Sequence, residues 1–422
     1  MTYYNAIKYI KNAPNVAPVE SSAAERISKL CAELGNPQKK LKYLRLAGSN
    51  GKTVCARMLT SVLNKAQITN GCLSMPIQSE IRENVKINGE PISMDETVRY
   101  VEQVCQAVAH INAEQTDGTT FRPTAHEIIL CVSLLAFVEH SCALCIIESD
   151  HNGEDTSRFV IAPFAAVICG CIPSKEKSEI AKIRSYIHRG IREIISAPQN
   201  RDAYKIISDT CATVNCRLTI PARNNFEILT LNLGGTKFSY KGNEYSLRLC
   251  GKFETTNALV AIESAEMLLR CGYKISNEHV KSGLAAVLAP CKFEILSLSP
   301  TIIADSTHTS IAIAEVCDSL ADFKDITGTN IRLCLPEGEL IDEYVKALKT
   351  REYSIEKISA LADISPDEER AEYSLPVSVC KTVKATAKDA LAGLQKDDIL
   401  LISGPNNFTA KLRYELLAIL GF

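Results

Sequence analysis

The chain has 422 residues, of which 46% are hydrophobic and 23% charged, and its formal net charge is −2. That length is too great for one core, the composition is globular, and the near-neutral charge argues against a nucleic-acid or anionic-membrane partner. No apolar run reaches membrane-spanning length, the first residues lack a signal-peptide pattern, and the odd count of 17 cysteines includes several inside apolar segments such as 131–136 and 165–172, so a cytoplasmic protein with reduced core thiols is expected.

In chain order, residues 22–34 read as a helix that stops at Gly35. Residues 43–66 read as a short apolar strand, a glycine-bounded loop and an amphipathic helix. Ser93-Met-Asp-Glu96 and Thr124-Ala-His-Glu127 are capping boxes that open helices to about residues 115 and 140. Residues 144–148 and 165–170 are apolar and partly β-branched, as buried strands are. Cys142 and Cys145, the only C-x-x-C, fall at the first of these with no second pair at zinc spacing, and read as core. The pattern over 175–195 predicts a helix. Residues 225–249 alternate around Gly234, Gly235 and Gly242 and predict antiparallel strands. Residues 254–269 return to helix.

Two prolines flank a short apolar stretch at 289–300, where a boundary is expected. Beyond it, strands at 301–304, 331–335 and 399–402 lead to helices at 310–320, 339–348 and 407–420. This predicts an α/β protein of two domains, residues 1–294 and 295–422. The first should hold a mostly parallel sheet with helices on both faces and a small antiparallel sheet. The second should be a smaller Rossmann-like α/β domain, and a ligand is expected where two such domains face each other.

The loop Gly48-Ser49-Asn50-Gly51-Lys52-Thr53 carries the chemistry. Two glycines let the backbone curl so that N–H groups converge on phosphate oxygens at a helix N-terminus. Lys52 supplies a cation for the terminal phosphates, and the Thr53 hydroxyl suits Mg²⁺. The loop is shorter than the full G-x-x-x-x-G-K-[ST] pattern, since Leu46 stands at its first glycine. The plainer reading is a βα turn with a solvated lysine; the flanking strand and helix favour a nucleotide.

Seven segments in order resemble the folylpolyglutamate synthase/dihydrofolate synthase branch of the Mur ligase superfamily. Leu34-Gly-Asn-Pro resembles the family's lead-in, and Ala47-Gly-Ser-Asn-Gly-Lys-Thr its P-loop A-G-T-N-G-K. Ile87-Asn-Gly-Glu-Pro-Ile-Ser is similar to I-N-G-x-x-I-S, and Pro123-Thr-Ala-His-Glu to P-T-x-F-E. Gly251-Lys-Phe-Glu-Thr-Thr-Asn-Ala resembles G-x-[HF]-Q-x-x-N-A, Pro290-Cys-Lys-Phe-Glu resembles P-G-R-F-E, and Asp305-Ser-Thr-His308 resembles D-G-A-H.

The resemblance implies an ATP- and Mg²⁺-dependent amide ligase. A folate-like carboxylate would take the γ-phosphoryl group, and an amino acid such as glutamate would displace phosphate from the acyl phosphate. A monomer is the family precedent. Gly48, Ser49, Asn50, Gly51, Lys52 and Thr53 would hold phosphates, Asn257 would face adenine, and Lys292 would stand for the family arginine, without its planar fork. Asp305 and His308 would close over ATP and the amino acid. Glu148, in the place of the glutamate of E-V-G-L-G-G, would share the metal with Thr53. Plainer roles are open for three of these residues: a polar residue near a helix start for Asn257, a helix cap for Asp305, and a glutamate leaving the core for solvent for Glu148. Glu127 has one as well, as the capping-box partner of Thr124.

The same resemblance marks losses. An ungapped match of T-S-P-H-L to Ser74-Met-Pro-Ile-Gln puts Met75 where the family has a metal-ligating serine, and Ile77 where it has histidine. Asp150-His-Asn-Gly replaces the glycine-rich turn. The segment from Cys169 to Ser174 replaces a stretch ending in Asp-His. His188 replaces the lysine whose carbamate binds a second Mg²⁺, and enters the candidate catalytic set with Lys52 and Glu148. His151 or His188 rebuilding a metal site, and both being solvated, are the two readings. A nucleotide-binding paralogue with weakened catalysis is therefore the second functional hypothesis.

Overall fold

The computed structural model describes residues 1–14, 22–48, 50–75, 80–115, 120–149, 156–172, 181, 184–307, 309–323, 330–362, 373 and 375–421. The chain forms two compact units, one from Met1–Arg223 with Thr256–Leu284, the other from Asn224–Thr255 with Ala285–Phe422. Among the described residues no helix is long and apolar enough to cross a membrane.

The first unit opens with α1 (Tyr3–Lys11) and α2 (Ala23–Glu33), then β1 (Tyr43–Gly48), α3 (Lys52–Lys65), β2 (Asn70–Leu73), β3 (Val85–Ile87), β4 (Glu90–Pro91), α4 (Met94–Glu114) and α5 (Ala125–Glu139). It continues through β5 (Leu144–Glu148), β6 (Ala165–Cys169), β7 (Glu193–Ser196), α6 (Arg201–Val214) and β8 (Arg217–Thr219). These strands make one sheet in the order β4-β3-β2-β5-β1-β6-β7-β8. From β2 to β8 every pairing is parallel, and β3 and β4 are added antiparallel.

Both capping boxes read from the sequence are present, Ser93 with Glu96 and Thr124 with Glu127, and a third, Ser22 with Glu25, starts α2. One sheet face packs Tyr43, Leu73, Cys145 and Ile147 with apolar residues of α1, α2, α4 and α5. The intervening residues Leu44, Leu46, Cys72 and Ile146 are also buried, as strand alternation requires of a sheet covered on both sides. α3, absent from the first cluster, packs against β1, β2 and β5.

The I-N-G motif is structural. Asn88 and Gly89 turn the chain between β3 and β4 with φ of +52° and +88°. Asn88 Oδ1 accepts the N–H of Asn70, and Asn64 Nδ2 donates to Asn88 O, which ties the hairpin to β2 and α3.

The predicted helix over 175–195 is corrected at its end. Gly190 takes φ +101°, and Glu193–Ser196 is β7, fully buried and paired with β6. The short Glu-Ile-Ile-Ser run fits a buried strand as well as a helix by periodicity, and the preceding glycine breaks the helix. Residues 175–180, 182 and 183 lie outside the described residues.

β9 (Phe226–Asn232), β10 (Gly235–Tyr240) and β11 (Asn243–Leu247) form the antiparallel sheet expected over 225–249, but it belongs to the second unit and not, as expected, to the first. The chain then passes through α7 (Lys252–Arg270), which runs from the second unit into the first, and α8 (Asn277–Ala286). It ends with β12 (Glu294–Leu298), β13 (Thr301–Asp305), α9 (Ser310–Ala321), β14 (Asn330–Pro336), α10 (Leu340–Lys349), β15 (Ser354–Leu361), β16 (Val377–Cys380), α11 (Val383–Leu391), β17 (Ile399–Ser403) and α12 (Asn406–Leu420). The sheet order is β12-β13-β17-β14-β15-β16, parallel except for β12. This is the α/β unit predicted, with apolar clusters that bring in α9 and α10 on one side and α11 and α12 on the other.

Candidate functional site

β1 lies inside the first sheet, between β5 and β6, so its carboxyl end opens at a place where strand order reverses. Ligands of open α/β sheets bind at such points. Gly48 ends β1 with φ +110°, and a Cβ there would stand 2.1 Å from the carbonyl oxygen of Cys169. Gly51 precedes α3 with φ +80°, and its Cβ would stand 2.3 Å from Asn257 Oδ1. Both glycines are required by close approach as well as by conformation. Lys52 begins α3, is buried, and its Nζ donates a 2.8 Å hydrogen bond to Gly48 O, closing the loop on itself. The helix N-terminus adds its own positive potential here. Ser49 lies outside the described residues.

Glu148 ends β5 with only 2% of its surface exposed. Thr53 Oγ1 donates to its Oε2 at 3.0 Å, and Ser74 Oγ donates to its Oε1 at 2.9 Å. Burial raises the Glu148 pKa above the ordinary carboxylate value; the Ser74 and Thr53 hydroxyls and the charges of Lys52 and Arg57 pull it back in part. The oxygens of Thr53, Ser74 and Glu148 are all hard donors of the kind Mg²⁺ takes. Glu148 is therefore held inside the protein and does not run out to solvent.

Asn257, on α7, is buried, and the Cys55 thiol of α3 lies 3.6 Å from its backbone oxygen and 3.9 Å from Oδ1. Its side chain thus lies against the loop at Gly51. The segment after β6 is fixed by Gln199, whose Oε1 accepts the N–H of Ile172 at 2.9 Å and whose Nε2 donates to Gly170 O at 2.8 Å. His188 sits apart in the turn before β7, half-buried, with Nδ1 2.9 Å from Arg189 O. No hydrogen bond among the described residues links it to Thr53 or Glu148. Ile77, Asp150, His151 and Ser174 lie outside the described residues.

Met75, which the ungapped match set at the place of the family's metal-ligating serine, faces away from Glu148. It packs against the apolar cluster of α1, α2, α4 and α5, while Ser74 takes the opposite side and reaches Glu148. Strand alternation puts neighbours on opposite faces. Ser74, Asn84, whose Nδ2 donates to Ser74 O at 2.6 Å, and Gln199 are the residues shaping these loops that the sequence did not reveal. The alternation continuing past Leu73 could have found Ser74; nothing local marks Asn84 or Gln199.

In the second unit, Lys292 sits in a loop with two non-glycine residues at positive φ, Cys291 at +58° and Phe293 at +46°. Such strain persists only where surrounding contacts over-determine it. Cys291 N–H donates to Glu294 Oε2, Arg413 grips both Glu294 oxygens at 2.6 and 2.7 Å, and Ser306 N–H donates to Cys291 O. Phe293 packs between the rings of Phe253 and Phe323. Its N–H donates to Asp305 Oδ2, while Asp305 Oδ1, buried, has no hydrogen-bond partner among the described residues. Asp305 is thus a loop anchor and no helix cap: the residue before α9 is Thr309, which makes no side-chain cap bond. His308 lies outside the described residues.

No family model matches the sequence. The chain is 26% identical over 322 residues to the folylpolyglutamate synthase of Lacticaseibacillus casei, covering 73% of this chain and 74% of that protein. It is 27% identical over 323 residues to the dihydrofolate synthase/folylpolyglutamate synthase of Bacillus subtilis, covering 70% and 71%. In fold it matches the apo form of the L. casei enzyme with a TM-score of 0.81 at 21% identity over 99% of this chain and 100% of that one. The Mycobacterium tuberculosis folylpolyglutamate synthase complexed with ADP and AMPPCP matches with a TM-score of 0.79 at 20% identity, over 100% and 98%. In sequence and in fold alike, the relatives of this chain are the folylpolyglutamate and dihydrofolate synthases of the Mur ligase superfamily.

Proposed function

We propose that this chain is an ATP-dependent carboxylate–amine ligase of folylpolyglutamate synthase type, joining a folate-like carboxylate to an amino acid such as glutamate. The observation that carries the reading is the buried Glu148, bracketed by Thr53 and Ser74 beside the Gly48–Thr53 loop. The naming of the relatives as ligases supports it over the weakened paralogue, which is not favoured.

In the reaction a substrate carboxylate oxygen attacks the γ-phosphorus and the bond to the β-phosphate oxygen breaks, releasing ADP. The amine then attacks the acyl carbon, phosphate leaves, and the amine proton passes to solvent. Lys52 and the α3 N-terminus hold the phosphates and offset charge gathered on the leaving oxygen. The ammonium has three donors, so Lys52 can keep its bond to Gly48 O while it meets a phosphate. Mg²⁺, held by Thr53 and Glu148, would supply further charge neutralisation at the phosphates.

Gly48, Ser49, Asn50 and Gly51 complete the phosphate loop, and Asn257 faces adenine. Lys292, Asp305 and His308 serve ATP and the amino acid, and His188 stays a candidate for the catalytic set. A functional division at residue 294 and a cytoplasmic monomer go with this reading. The test is ADP release with folate and glutamate together. Release that requires both substrates and is abolished by Glu148→Ala supports the reading; no folate- or glutamate-dependent release overturns it.

A further inference from the structure

The segment Cys211-Ala-Thr-Val-Asn-Cys216 closes α6. Asn215 takes the left-handed conformation, with φ +56° and ψ +48°. The N–H of Cys216 then donates to Cys211 O at 2.9 Å, and the N–H of Asn215 to Ala212 O at 3.2 Å. These are the two bonds of a Schellman motif, which folds the chain back over the last helical turn and sets the side chain at 216 against the one at 211. An apolar contact frequently fills that place. Here two thiols fill it, and they hydrogen-bond each other. Two other cysteine pairs interact in this way among the described residues, Cys31 with Cys131 and Cys142 with Cys145. All four of those residues belong to the buried core packed on α1, α2, α4 and α5. Cys211 is buried too, but Cys216 is half-buried at the rim of the small apolar cluster that α6 makes with β6 and β7. Of the three pairs, this one has a member open to solvent.

We infer that Cys211 and Cys216 are a modification site: they close into a reversible disulfide when the folded chain meets a small-molecule disulfide such as oxidised glutathione. The inference is independent of the ligase reading. A 2.9 Å bond from the nitrogen of one residue to the oxygen of the other holds their Cα atoms within about 7 Å, the outer limit for a disulfide. The helix end therefore needs no rearrangement to be bridged. In the exchange the Cys216 thiolate attacks one sulfur of the small disulfide and expels a thiolate. Cys211 then attacks the Cys216 sulfur and expels the second. The two protein thiols lose two electrons and two protons, and the small disulfide leaves as two thiols. Burial raises both cysteines above the ordinary thiol value, while the hydrogen bond with Cys211 draws Cys216 part-way back. Cys216 is thus both the more exposed sulfur and the readier thiolate, as the attacking group must be.

The probe is oxidised glutathione on the full native chain, read by alkylation of the remaining thiols and mass mapping of tryptic peptides. Cleavage after Lys205 and Arg217 leaves residues 206–217, with both cysteines and no other, in one peptide. After oxidation that peptide should be lighter by two hydrogens and closed to alkylation, and dithiothreitol should reopen it. Cys31, Cys131, Cys142 and Cys145 should stay reduced. Cys211→Ser should stop at a glutathione adduct on Cys216, and Cys216→Ser should take neither adduct nor bond at Cys211. The oxidised chain should unfold at a temperature no lower than the reduced one, because the helix end keeps its geometry. The inference is overturned if the peptide keeps both thiols while the exposed Cys171 or Cys271 carries glutathione, or if the unaltered chain stops at the adduct on Cys216. A bond that closes only in urea, or that lowers the unfolding temperature, overturns it as well. Should either variant fail to fold, the mapping of the unaltered chain decides alone.

Discussion

The backbone N–H of Phe293 donates a 2.7 Å hydrogen bond to Asp305 Oδ2, and both residues are almost wholly buried. This bond fixes a loop in which Phe293 and Cys291 both have positive φ, and so fixes Lys292 between them. Asp305→Ala leaves the Phe293 N–H buried without a partner, which costs about 1–3 kcal/mol. Asp305→Asn keeps an acceptor and should lose less. Urea unfolding of the two variants checks this, and equal midpoints for Asp305→Ala and the unaltered chain would remove the anchor. Cys291→Gly should be tolerated, because only glycine takes that φ freely.

Arg26 and Glu127 form a buried pair, with Arg26 3% and Glu127 0% exposed and Arg26 Nη2 3.0 Å from Glu127 Oε1. Glu127 also accepts the N–H of Thr124 in the capping box. Glu127→Ala takes its carboxylate from a buried guanidinium and should cost up to roughly 3–5 kcal/mol. The double variant Arg26→Met with Glu127→Ala removes the buried positive charge as well and should recover part of that loss. A double variant no more stable than the single one would mean that the cap, and not the ion pair, carries the effect.

Element types were legible wherever a local rule acted alone. Ser93–Glu96 and Thr124–Glu127 set helix starts, and the apolar run at 144–148 became a strand over the same residues. β7 was missed because four buried residues, only two of them apolar, carry no period of their own. The P-loop and Glu148 were legible from type and place. The bond from Ser74 to Glu148 was not read, since an ungapped match cannot tell which of Ser74 and Met75 faces the sheet's other side. Asn84 acts only through a contact ten residues away, and no spacing rule points to such a clamp.

Acid stability should report on Glu96. Burial pushes its carboxyl pKa up, but the Ser93 hydroxyl and N–H and the His140 ring outweigh that and bring it down to about 2 from 4.5. Its folded pKa is below its unfolded one, so the carboxylate stabilises the fold fully above about pH 4.5 and the contribution is lost as pH falls toward 2. Glu96→Gln should flatten the stability profile over that window. Parallel profiles for the variant and the unaltered chain would count against the assignment.

Lys52 offers a test of the loop independent of metal. Charged hydrogen bonds contribute about 1.5–3 kcal/mol, so Lys52→Ala should lower ATP affinity by roughly tenfold or more. Calorimetry giving equal ATP affinity for both proteins would reject a phosphate role for this lysine.

The number of metal ions separates this chain from the pattern it resembles. A carbamylated lysine presents two oxygens to Mg²⁺, whereas the imidazole at His188 presents one nitrogen and suits softer ions. His188 sits in a turn with Nδ1 against Arg189 O. Among the described residues no group of three or more His, Cys, Asp or Glu side chains could hold a metal ion. The hard oxygens that do converge belong to Thr53, Ser74 and Glu148. One divalent ion per chain is therefore expected in the AMPPCP complex, and Mn²⁺ titration should saturate at one equivalent. His188→Ala should leave that stoichiometry unchanged. A second tight equivalent that disappears in His188→Ala would instead make the imidazole a metal ligand and place it in the catalytic set.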